Sequence, residues 1–249
     1  MSTEPAAPPG TDRPRAPRIR WGIPDAALVW VGAAIVGSLA QIPVAGRSMD
    51  EIGELYKFGV LLPAQQLPVL MALVLVTRLK GRGSLRRDFG FEVRREDARA
   101  AWLGPALQVG LWILMLPLAL LTRDEAQQQL LQDLEDSTSI LPVLLFAFGA
   151  VVMAPVIEET LYRGLLLRSL LRRFGPGTSI FVSAVVFAAV HPLGDPNTFR
   201  SVPALVALGL VLGVAAVRTG SLSRPILIHG AFNLTTMVLI LAYSPEQLP

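Results

Sequence analysis

The sequence predicts an all-α, polytopic membrane helix bundle of about seven transmembrane helices with a cytoplasmic N-terminus. Three observations predict it. Of the 249 residues, 52% are hydrophobic and 16% charged, more apolar than soluble domains, whose apolar share with glycine is ~45–50%. The apolar residues gather in runs that approach the ~20 needed for a helix to cross a hydrocarbon core. Basic residues alternate between successive loops, the pattern that orients membrane proteins.

Residues 1–24 are rich in Pro and Arg with no apolar run, which predicts a disordered cytoplasmic arm. A cleaved signal peptide is the rival reading, with Arg13 to Arg20 as its basic region, but the apolar run beyond it extends to Ala45 and exceeds a signal core. Predicted spans lie at 26–45, 58–76, 101–121, 140–157, 179–191, 202–217 and 225–243. Four arginines precede the first span, eight basic residues from Arg78 to Arg99 separate the second and third, and Arg168, Arg172 and Arg173 come after the fourth. Arg218 and Arg224 come after the sixth, whereas the intervening loops hold only Arg47 with Lys57, Arg123 and Arg200. An odd number of spans with the C-terminus outside satisfies this alternation. The chain divides into the arm, N-terminal membrane helices over 25–138 and a core over 139–245. An acidic stretch at 124–136 reads as a short surface helix without chemistry. Gly209 and Gly213 form a small-xxx-small pair that lets another helix approach.

Composition excludes several chemistries. There is no cysteine, hence no disulfide, thiolate metal site or Cys nucleophile. The net charge of +3 comes from basic residues in short loops, which membrane insertion explains, so no nucleic-acid partner is expected. Ionisable groups at membrane depth are costly, and each needs a partner or a function. They are few here: Glu158, Glu159 and Arg163 where the fourth span ends, His191 at the end of the fifth, and His229 with Asn233 in the seventh. The two histidines are the only ones in the chain.

Helical geometry limits which of these groups meet. Glu159 and Arg163 are four apart with Glu on the N-terminal side, the favoured order for an intrahelical ion pair. Glu158 is turned ~100° away from Glu159 on an α-helix. His229 and Asn233 share a face. Gly175-Pro176-Gly177 reads as a turn, with Glu158 seventeen residues before Gly175 and His191 sixteen after it. At ~1.5 Å per residue both lie roughly 25 Å from the hairpin tip, so Glu158 and His191 are expected side by side. His229 joins them if the tip protrudes ~15 Å into the cytoplasm. Bland readings stand beside this one: Glu159 with Arg163 as a structural pair, His191 as a helix end before Pro192, His229 as an interfacial side chain and Asn233 as helix–helix glue.

A Glu facing a His can activate water, and a second His with an Asn can donate to an oxyanion. Alternatively Glu158, His191 and His229 supply the one-carboxylate, two-imidazole set of a catalytic zinc site, although no H-E-x-x-H run is present. Serine catalysis lacks a G-x-S-x-G.

Glu158-Glu159-x-x-x-Arg163, Phe187-x-x-x-His191 and His229-x-x-x-Asn233, in that order on successive membrane helices, resemble the motifs of the CAAX-processing and bacteriocin-processing (CPBP, or Abi) family of intramembrane proteases. The resemblance covers about residues 140–243. It implies Glu158 and His191 as the water-activating pair, Glu159 and Arg163 as support, and His229 with Asn233 as oxyanion donors or, in a metal-dependent enzyme, ligands. It further implies a divalent metal such as zinc or a metal-free glutamate-dependent route, and a membrane-associated or lipidated peptide or protein substrate. The expected place is the plasma membrane, among lipid, with the site towards the cytoplasm. The rival functions are a noncatalytic scaffold or bacteriocin-immunity protein of the same fold, and a small transporter with Glu158 as its proton site.

Overall fold

The computed structural model describes residues 19–47, 51–92, 94–121, 140–193, 199 and 201–242. Among them the regular elements are all helical. The reason is the solvent: in lipid a segment must close its backbone hydrogen bonds within itself. The helices are α1 (Ile23–Leu39), α2 (Lys57–Lys80), α3 (Leu85–Phe89), α4 (Leu103–Leu121), α5 (Ile140–Leu171), α6 (Pro176–Ala189), α7 (Val202–Thr219) and α8 (Ser223–Ala242). By length and composition α2, α5, α7 and α6 with its extension to Leu193 are able to cross a membrane, and α1 is apolar but shorter. The predicted stretches 26–45, 101–121 and 225–243 fall on α1, α4 and α8.

Two boundaries differ from expectation. The fourth stretch continues past residue 157 as one helix to Leu171, because the charged groups that interrupt its apolar run are bonded inside the bundle. The arm is packed at its end: Trp21 is buried and α1 begins at Ile23, since an indole gains from burial wherever its N–H finds an acceptor. That acceptor is Asp88, 3.3 Å from the indole nitrogen, and the ring meets Phe89 edge-on at 5.3 Å. Residues 1–18 of the arm and the acidic stretch at 124–136 lie outside the described residues.

Gly175 in extended conformation and Pro176 at the first helical position close the hairpin between α5 and α6. At Gly209 a Cβ would lie 2.9 Å from Ala184 Cα, and at Gly213 2.9 Å from an Ile180 methyl. The expected small-residue seam therefore joins α6 to α7. The equally tight seating of α8 between α4 and α5 was not expected. A Cβ on Gly104 would come 2.5 Å from the Phe232 nitrogen, and one on Gly230 2.8 Å from the Val151 carbonyl. Gly104→Leu is expected to push α4 off α8 and destabilise the bundle by about 1–3 kcal/mol. Gly110→Leu on the same helix, where a Cβ meets nothing within 4 Å, should leave thermal unfolding in detergent unchanged, and equal unfolding of the two variants would refute the assignment.

Candidate active site

Glu158 and Glu159 close the α-helical segment Ala154–Glu159 of α5, which lies between two π-helical segments, Gly149–Met153 and Thr160–Leu167. A π turn changes the rotation of the residues beyond it and is frequent at functional sites. The neighbouring carboxylates diverge as the 100° rotation requires: Glu159 is fully buried, whereas Glu158 keeps 29% of its side-chain surface.

Glu159 Oε1 accepts from Arg163 Nη1 at 2.8 Å and lies 2.9 Å from His229 Nδ1. The expected ion pair thus forms, fully buried, across the π segment. Arg163 Nη2 donates to the Gly209 carbonyl at 3.3 Å, and its guanidinium lies 4.5 Å from the centre of the Phe187 ring. A carboxylate paired to Arg only accepts, so Nδ1 of His229 carries the proton towards it. The other ring nitrogen, Nε2, faces Glu158 Oε2 at 3.9 Å. That gap exceeds a hydrogen bond and is the kind a single water spans. One imidazole therefore hangs between two adjacent carboxylates, bonded to the buried one and opposed to the accessible one.

His191 opens a short 3-10 turn after α6, His191–Leu193. Its Nδ1 lies 2.7 Å from the Phe187 carbonyl, an acceptor only, so Nδ1 donates and Nε2 stays free. Phe187 is fully buried. Its ring meets His191 at 4.9 Å, His229 at 5.8 Å and Tyr162 at 5.3 Å, each edge-on. Within ion-pair distance Glu158 meets His229 rather than His191, and Phe187 touches both imidazoles. Asn233 Nδ2 donates to the Ala150 carbonyl at 2.7 Å, binding α8 to the first π segment.

Phe187 belongs to a motif legible in the sequence, yet sequence reasoning gave it no role; its signal is the one-turn spacing to His191, which stacks side chains on one helical face. The Gly209 carbonyl had no signal, because a backbone acceptor is invisible in residue type.

The chemistry of the donors suits a metal in one respect: both histidines donate through Nδ1 to a protein acceptor, as metal-bound imidazoles commonly do. Among the described residues no three His, Asp or Glu side chains are grouped so as to hold an ion as the side chains stand.

The described residues are thus all helical where regular, with a Glu–His–Arg cluster buried between helices of which several are long and apolar enough to cross a membrane. Residues 140–235, which carry all six site residues, match the family model described as type II CAAX prenyl endopeptidase Rce1-like. Over this segment the chain is similar to that CAAX-protease family, also called CPBP. A curated Escherichia coli protein, "Uncharacterized 24.3 kDa protein", is 30% identical over 93 residues, 36% of this chain and 42% of that protein. The match thus spans less than half the relative's length. No solved structure matches the chain.

Proposed function

We propose that the protein is an intramembrane endopeptidase that hydrolyses a peptide bond of a membrane-associated or lipidated substrate with water activated between Glu158 and His229. The observation that carries this reading is the 3.9 Å gap between the accessible carboxylate and Nε2 of an imidazole whose other nitrogen is already bonded. The match of residues 140–235 to a protease-family model supports it.

In this reading Glu158 takes a proton from water as the oxygen attacks the scissile carbonyl carbon, then returns it to the departing amine nitrogen. His229 accepts or donates at Nε2 to orient that water, with Nδ1 fixed by Glu159. Glu159 and Arg163 cancel each other's charge and hold the ring, since isolated charges are costly at membrane depth. Asn233, with one amide hydrogen beyond its bond to Ala150, and His191, whose Nε2 donates only when the ring is an imidazolium because Nδ1 already donates to Phe187, are the proposed donors to the oxyanion. The rows of arginine on alternate loops favour a cytoplasmic N-terminus and a site towards the cytoplasmic face of the plasma membrane.

Comparing peptide termini in membranes of cells that express the wild type or Glu158→Gln tests the function whatever the substrate is. At least one new terminus is expected with the wild type only. Identical termini in both would favour the noncatalytic scaffold. A metal-dependent variant of the mechanism would use Glu158, His191 and His229 as ligands. Cleavage by the purified protein is expected to survive a chelator; loss on chelation with recovery on adding zinc would establish that variant instead.

A further inference from the structure

A cavity of about 300 Å³ opens between α1, α5 and α6, and Glu158 is not among the side chains that line it. Aliphatic and aromatic side chains line it, among them Ile23, Trp30 and Val31 of α1, Tyr162 and Leu166 of α5, and Val190 beside His191. From Ile23 to Val31 is roughly 12 Å along the helix axis, a length that suits part of a hydrocarbon chain.

The end of this groove at Ile23 adjoins a cluster of cations. Arg20 donates to the Leu79 carbonyl at 3.0 Å. Arg172 donates to the Trp21 carbonyl and lies over the Trp21 ring at 4.1 Å. Arg173 is next in the chain, exposed. Lys80, whose carbonyl accepts from the Arg20 backbone N–H at 2.7 Å, pairs with Asp25 at 2.6 Å, whereas the three arginines have no carboxylate partner among the described residues. Burial, then the charge of Arg173, lowers the Arg172 pKa from its ordinary value. Three arginines without a carboxylate among the described residues thus crowd one end of a groove whose walls offer only apolar packing.

We propose that this groove holds an acyl chain of an anionic phospholipid whose phosphate sits among Arg20, Arg172 and Arg173. The chain fills the apolar space between the helices, and the phosphate supplies the counter-charge for the arginines. The lipid thereby joins the first helix to the hairpin that carries Glu158 and His191. A bound substrate anchor is the competing occupant, and the charge at the groove's end favours a phospholipid.

Tryptophan quenching tests this, because Trp30 lines the groove. In a Trp102→Phe/Trp112→Phe background, which removes two exposed indoles, the protein is reconstituted with brominated phosphatidylglycerol or brominated phosphatidylcholine at equal mole fraction. The anionic lipid is expected to quench several-fold more efficiently. Arg172→Gln/Arg173→Gln should abolish that preference, and Ala27→Phe, which fills the groove, should reduce quenching by the anionic lipid with unchanged helix content. Equal quenching by both lipids overturns the proposal, as does a preference that survives the double arginine substitution. Quenching by a peptide with a brominated acyl chain, with none by either lipid, would give the groove to a substrate anchor and equally overturn it. None of these readouts depends on proteolysis, so the outcome stands apart from the enzymatic reading.

Discussion

Glu158→Gln is expected to abolish peptide-bond cleavage by the purified protein, with kcat/KM falling by about 10²–10⁴-fold as for loss of a general base. The amide keeps the size of the carboxylate and removes its capacity to take a proton at neutral pH. Among the described residues Glu158 makes no hydrogen bond shorter than its 3.9 Å approach to His229, and it is the more accessible of the two glutamates. Its replacement should therefore leave helix content and thermal unfolding in detergent close to wild type. Undiminished cleavage by a well-folded Glu158→Gln protein would remove the residue from the mechanism.

Arg163→Met is expected to give the largest loss of stability, about 3–5 kcal/mol, because removing one partner of a buried ion pair strands the other. The stranded group is Glu159, which has no exposed side-chain surface and whose Oε2 has no protein donor among the described residues. His229 would then be its one strong partner. The double variant Glu159→Gln/Arg163→Met tests the cause. It should recover much of the thermal stability, since a neutral amide is cheaper to bury than an unpaired carboxylate, and it should stay impaired in cleavage because His229 loses its charged anchor. A double variant no more stable than Arg163→Met would show that the arginine acts through its packing on Phe187 and its bond to Gly209, not through its charge.

Much of this was legible because lipid makes polar residues conspicuous. The span positions came from apolar runs, and the pairing of Glu159 with Arg163 came from their spacing and order on one helix. Residue spacing did not give the partner of Glu158. Equal distances from the hairpin tip placed it beside His191, yet the near imidazole is that of His229. Counting at a fixed rise assumes an unbroken α-helix, and the π segment Thr160–Leu167, between Glu158 and the hairpin tip, changes both rise and rotation there. The contact of Phe187 with both imidazoles has the same standing: its presence one turn before His191 was visible, and its packing against side chains of α5 and α8 was not. The close approach at Gly104 was hidden for a related reason, since a lone glycine in an apolar run does not reveal which neighbour it admits.

The broad turns on either side of Glu158 and Glu159 have a mechanical consequence. Passing one residue between the α and π patterns swings the intervening side chains by about 100° around the helix axis, with the membrane crossing intact. In the mechanism proposed above, the direction in which Glu158 points is thus set by the backbone of α5 itself, between its two π segments.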